Sequence, residues 1–110
     1  MDFLNAMTVD VEDYFHVQAF AGVIARRDWK SYPSRVERNT FRLLEIFAGK
    51  KVRATFFVLG WVAAKFPGLV HAICKAGHRV GCHGYAHRVI YDGNEMDFRA
   101  DLRRARQVIE

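Results

Sequence analysis

Apolar residues recur along the chain with two different periods, and each change of period marks a passage between strand and helix. Leu4 to Val11 (LNAMTVDV) is a mostly apolar run of strand length, closed by the polar and aromatic cluster Glu12-Asp13-Tyr14-Phe15-His16. A loop is expected around Trp29-Lys30-Ser31-Tyr32-Pro33. Ser34 and Glu37 have the S-x-x-E spacing of a capping box, in which each side chain takes a free N–H of the first helical turn. Val36, Thr40, Leu43, Leu44 and Phe47 then fall on one helical face, and Gly49 supplies a stop. Arg53 to Leu59 (RATFFVL) predicts a second strand ending at Gly60, followed by a short helical turn over Trp61 to Phe66. Pro67 suits a first helical position, with Val70, Ile73 and Cys74 on the apolar face up to Gly77. Arg79 to Cys82 reads as a third strand, and His83 to Gly93 as a loop. A last helix is capped near Asn94 and carries Phe98, Leu102, Ala105 and Ile109 on one face.

A strand–helix order repeated in this way predicts an α/β fold with a parallel sheet. A parallel sheet normally takes helices on both faces, and three strands make a small one. The chain therefore reads as the first part of a larger domain, with no repeat or composition shift dividing residues 1–110.

Composition narrows the function classes. Hydrophobic residues at 51% and charged residues at 26% fit a globular domain and exclude a disordered chain. The longest apolar stretch, Phe56 to Ala64, is nine residues, far short of the roughly 20 that a membrane-spanning helix needs. Lys and Arg total 17 against 12 Asp and Glu, a formal charge of +5, which invites a phosphate-bearing partner. The bases, however, sit on helix-like segments among acids (Arg35, Arg38 and Arg42; Arg99, Arg103, Arg104 and Arg106), and no nucleic-acid-reading motif accompanies them. Solvated helix faces account for the charge, and no nucleic-acid partner is expected. The opening MDFLNAMTVD has no basic segment of the secretory kind, so a cytoplasmic location is expected. Cys74 and Cys82 form neither a disulfide framework nor a C-x-x-C pair, and are expected to be small, half-buried apolar residues.

In α/β proteins, functional groups gather beyond the C-terminal ends of parallel strands. Two polar clusters fall at such positions: Asp10, Glu12 and Asp13 after the first strand, and His83-Gly84-Tyr85-Ala86-His87 after the third. If the two strands are adjacent, carboxylates and imidazoles share one rim. Histidines four residues apart point the same way on a helical turn, and a carboxylate as third ligand leaves one tetrahedral position open, as in catalytic zinc sites. Gly84 stands where an H-E-x-x-H metalloprotease needs Glu, so that chemistry is excluded. Three carboxylates within four residues repel one another, and a cation relieves the repulsion. One acid can then bind the metal while another serves as general base.

Three ordered blocks, Thr8 to His16 (TVDVEDYFH), Ala54 to Gly60 (ATFFVLG) and Gly77 to His87 (GHRVGCHGYAH), resemble the polysaccharide deacetylases, the carbohydrate esterase family four or NodB-homology enzymes. The D-V-E-D-Y-F-H and H-G-Y-A-H forms are most similar to the branch found with exopolysaccharide and exosortase gene clusters. The resemblance implies the N-terminal part of a distorted (β/α) barrel, a divalent metal, most often zinc, and an N-acetylated polysaccharide substrate from which acetate is released. It implies Asp10 as general base and His83 and His87 as metal ligands. Asp10 is followed by Val11 where most members have a second Asp. Some relatives carry the ligand two residues after the base, which points to Glu12, with Asp13 as the alternative. The family's Ser or Thr after the first His is Gly84 here, which removes a hydroxyl that steadies the turn. Trp61 and Tyr85 are candidates to line a sugar groove, and His16 to support the acidic cluster. The family's general acid, Arg-Pro-Tyr and Leu-His segments are not found in this sequence, so the chain alone is expected to bind metal with little turnover. Rival readings are a non-catalytic carbohydrate-binding relative and a small amide or cyclic-imide hydrolase on the same fold.

Overall fold

The computed structural model describes residues 2–110. Its elements in chain order are β1 (Thr8–Val11), α1 (Val36–Lys50), β2 (Thr55–Val58), α2 (Gly60–Lys65), α3 (Pro67–Lys75), β3 (Arg79–Cys82) and α4 (Glu95–Ile109), with short 3₁₀ turns over Tyr14–His16, Gln18–Phe20, Arg26–Ser31 and Ile90–Asp92. The strands form one parallel sheet in the order β1-β2-β3. The expected α/β fold is present, but the two functional strands are not neighbours: β2 lies between them.

Register decides which side chains share a face. Val9, Phe56 and Val80 form one row and Asp10, Phe57 and Gly81 the next, pointing to the opposite face. The first face is covered. Val11, Phe56 and Val58 pack with Val36, Leu44 and Phe47 of α1 and Leu69 and Ile73 of α3 in one core. On the other face, Asp10 is largely exposed, and the Phe57 ring lies so close over Gly81 that an added Cβ would stand 2.6 Å from it.

Several local expectations are corrected. The first strand starts at Thr8 and not Leu4, which is 99% exposed; its pairing with β2 begins at the bond from the Thr55 N–H to the Met7 carbonyl (3.1 Å). The Ser34–Glu37 capping box does not form. Instead, the buried Asp13 carboxylate accepts from the Ser34 hydroxyl, from the Arg35 N–H at 2.9 Å and from the Val36 N–H at 3.3 Å. A residue 22 positions before Arg35 thus caps α1, and tertiary contact overrides the local motif.

Gly49 does not stop α1. The helix runs to Lys50, and Lys51 takes the left-handed conformation (φ 55°) while its N–H bonds to the Phe47 and Ala48 carbonyls. On α3 the buried face is Leu69 and Ile73, while Val70 is half-buried and Cys74 exposed. Cys82 is exposed as well, contrary to the half-buried expectation. The apolar face of α4 is only partly covered: Ala105 is fully buried, yet Phe98 and Leu102 are each 43% exposed. Among the described residues, no helix is long and apolar enough to cross a membrane.

Candidate metal centre

The acid-bearing and histidine-bearing segments meet across the C-terminal end of β2. The Leu59 N–H bonds to the Val11 carbonyl (3.2 Å) and the His83 N–H to the Val58 carbonyl (3.0 Å), prolonging both ladders beyond the strands. The N-terminus of α2 is then stitched to the histidine segment, Gly60 N–H to Gly84 O at 2.7 Å and Trp61 N–H to Tyr85 O at 3.0 Å. Glycine is required at position 60, where a Cβ would lie 2.6 Å from the Tyr85 ring and 2.9 Å from the Ala105 Cα.

Within this frame Glu12 Oε2 lies 3.1 Å from His83 Nε2 and 2.9 Å from His87 Nε2. One ligand atom from each of the three falls within a 4.8 Å cluster. The contacts are at hydrogen-bond length but not directed as hydrogen bonds, and Glu12 Oε2 and His83 Nε2 are buried without a partner. Native proteins rarely leave such atoms unsatisfied. Ligands about 2.0–2.1 Å from a tetrahedral metal stand about 3.3 Å apart, close to the observed separations. Two imidazoles and a carboxylate form a donor set suited to zinc or a similar divalent ion, so the residues fit the group.

Electrostatics agree with the geometry. Burial alone would raise the Glu12 pKa, but the His83 contact and the nearby imidazoles outweigh it and hold the carboxylate below its usual range. The Glu12 carboxylate raises the His83 pKa against the effect of burial, with Asp10 adding to the rise. Asp10 Oδ2 is 3.9 Å from His83 Nε2, outside the three-residue cluster and on the open face of the sheet.

Asp13, the alternative ligand, is placed elsewhere. The residue is 2% exposed, and its carboxylate is occupied by the three donors at the head of α1. His16 packs between Trp29 and Trp61, with ring centroids at 4.5 and 4.7 Å. Its Nδ1 accepts the Asp13 N–H at 2.7 Å, which fixes the chain just after Glu12. Burial lowers the His16 pKa to about 4, so the ring is neutral near pH 7 with its proton on Nε2. Half-buried Trp61 packs on Phe15, His16 and Trp29, with the Lys65 ammonium 5.0 Å from its ring. Tyr85 is buried against Gly60 and carries the Arg104 guanidinium at 3.8 Å, so it sits in packing and not in an open groove.

The two histidines do not share a helical turn. Gly84 (φ 73°) and His87 (φ 52°) both adopt left-handed conformations, which for a non-glycine residue costs about 1–2 kcal/mol. The turn is held from outside. The Asp101 carboxylate on α4 accepts the Tyr85 N–H (2.9 Å) and the Ala86 N–H (3.2 Å). Arg26 donates Nε–H to the Ala86 carbonyl (3.0 Å) and Nη2–H to the His87 carbonyl (3.4 Å). Neither residue has a recognisable motif, because the partners of Arg26 are 60 and 61 residues away and Asp101 reads as part of a solvated helix face. Each half of the site opens on its own cavity. One of about 560 Å³ is lined by His83, His87, Arg26 and Asp101, and one of about 220 Å³ by Asp10, Glu12 and Arg35.

The structure is thus an α/β protein whose parallel sheet carries, at its C-terminal rim, a Glu12–His83–His87 cluster of the kind that could hold a metal ion. The chain belongs to the polysaccharide deacetylase family, which residues 28–110 match. The match includes His83 and His87 and begins after Asp10 and Glu12. A peptidoglycan-N-acetylglucosamine deacetylase of Bacillus cereus is 34% identical over 70 residues, covering 64% of this chain and 26% of that protein. A peptidoglycan deacetylase of Helicobacter pylori is 32% identical over 78 residues, covering 64% of this chain and 27% of that protein. The solved structure of a family 4 carbohydrate esterase from Streptomyces lividans in complex with acetate matches 94% of this chain and 42% of its own, at 26% identity and a TM-score of 0.70. The chain thus spans about a quarter of the length of the curated relatives it matches.

Proposed function

We propose that residues 1–110 form the N-terminal segment of a domain that hydrolyses N-acetyl groups on a polysaccharide. In this reading Glu12, His83 and His87 hold a divalent metal, zinc by donor type, and Asp10 is the general base. The observation that carries it is the convergence of three ligand atoms, two of them buried without a partner. Bound there, the metal supplies polarisation of the acetyl carbonyl and a more acidic water. In this reading Asp10, exposed and 3.9 Å from His83 Nε2, accepts the proton of the attacking water. Water adds at the acetyl carbon, the C–N bond breaks, and the products are acetate and a free sugar amine. Asp10 beside the three ligands speaks against a binder without chemistry, which has no use for it.

The substrate proposed is an N-acetylated exopolysaccharide, on the strength of the D-V-E-D-Y-F-H and H-G-Y-A-H forms. The names of the two curated relatives favour a second reading, the glycan of peptidoglycan. The unpaired outer edge of β3 and the half-exposed Phe98 and Leu102 support a domain that continues beyond Glu110. Alone, residues 1–110 are expected to bind metal with little turnover. Acetate release from N-acetylated exopolysaccharide, peptidoglycan, chitooligosaccharides and small amides, measured side by side on the full-length protein, tests the proposal. The expected outcome is release from a polymer, reduced about 10²–10⁴-fold by Asp10→Asn. Release from small amides alone, or sugar binding that survives complete metal removal without any hydrolysis, would overturn it.

A further inference from the structure

We propose that Asp101 and Arg26 are positioning residues that hold the His83–His87 turn in its metal-ligating shape. The inference rests on the metal reading above. The Ala86 residue is gripped at both ends: its N–H is accepted by Asp101 and its carbonyl receives Arg26 Nε–H. Asp101 also takes the neighbouring Tyr85 N–H, and Arg26 also reaches the His87 carbonyl. The turn lies in neither helix nor strand, and its left-handed residues, Gly84 and His87, lie on either side of the gripped pair. A Cβ at Gly84 would stand 3.2 Å from Asp101 Oδ2, so the acid and the turn are closely fitted. Without these bonds the backbone relaxes toward commoner conformations, and the His87 ring leaves Glu12.

Residues other than the clamp pack the two elements that carry it. Fully buried Ala105 packs α4 against Gly60, four residues beyond Asp101, and Trp29 buries the 3₁₀ turn that carries Arg26. The two members also have opposite charge, which gives a decisive sign. If they acted only through the electric field, loss of the Arg26 cation would strengthen the binding of a metal cation. If they act by holding the turn, loss of either weakens it.

The experiment is zinc titration of the protein with Asp101→Asn and Arg26→Gln variants. Visible spectra of the cobalt-substituted forms report ligand geometry, and unfolding midpoints report the fold. The expected result is a loss of zinc affinity of about tenfold or more in each variant, altered cobalt bands and nearly unchanged midpoints. Unchanged or tighter binding by Arg26→Gln, with unaltered bands, overturns the inference while the metal reading stands. A folded wild-type protein that binds no zinc overturns both. Should Arg26→Gln fail to fold, Arg26→Lys keeps the charge without the two-pronged grip. Weaker binding by that variant supports the clamp, and unchanged binding overturns it.

Discussion

The two halves of the site are held by different means. On the acid side, the chain itself does most of the work. Glu12 follows β1 directly, and the next residue, Asp13, is buried as the cap of α1 while its N–H is accepted by His16. On the histidine side, an irregular turn with two left-handed residues depends on Asp101 and Arg26, brought in from other elements. A ligand anchored by its neighbours in sequence is stable whenever its helix is. A ligand on a loop depends on polar contacts that carry little of the fold's stability. Damage to the first half should therefore appear mainly as unfolding, and damage to the second mainly as lost metal affinity.

The ligands themselves set the upper limit. Glu12→Ala, His83→Ala and His87→Ala should each reduce zinc affinity by at least about 100-fold in titration, since each removes a direct donor. Equal binding by Glu12→Ala and wild type would detach the acid side from the site.

Next in size is the acid response of the His16 anchor. Its folded pKa of about 4 lies below its ordinary 6.5. The unfolded chain therefore binds the extra proton first, and stability is lost as pH falls from about 6.5 to about 4. The expected loss is on the order of 3 kcal/mol. Denaturant unfolding of wild type and His16→Gln across this window checks it, with a flatter profile expected for the variant. Glu12, whose pKa is lowered, adds a loss below its ordinary range. His83, whose pKa is raised, contributes stability below pH 6.5 that fades as pH rises through its folded value.

The smallest effects compare the two anchors directly. Asp13→Ala strips the acceptor from Ser34, Arg35 and Val36, and should cost about 2 kcal/mol in denaturant unfolding. Gly84→Ala places a side chain at φ 73° beside Asp101, and should cost about 1 kcal/mol. Per unit of stability lost, the Gly84 change should weaken zinc binding more. The reverse order would mean that the two halves do not differ in kind.

Much was legible in the sequence. The apolar periods located the parallel strands and four helices, because burial of an amphipathic face imposes its spacing on the residues that form it. The same reading identified the polar clusters at the strand ends, and the family resemblance pointed to His83 and His87 with either Glu12 or Asp13. Local motifs misled where a distant group competed with them: Ser34 looked like half of a capping box, but the buried Asp13 carboxylate took both its hydroxyl and the helix N–H groups. Gly49 looked like a stop, but Lys51 accepted the left-handed turn. Trp61 packs on Trp29 and Tyr85 is buried, contacts that a side chain's type alone does not reveal.

The sequence by itself thus determined the fold class, the two polar clusters and the chemistry their side chains can perform. Only the tertiary structure decided that β2 separates the two strands, that Glu12 and not Asp13 faces the histidines, and that Asp101 and Arg26 hold the turn. The reason is one of range. Periodicity and residue chemistry are local and can be read along the chain, whereas the partner of a carboxylate or guanidinium is fixed by which distant segments the core brings together.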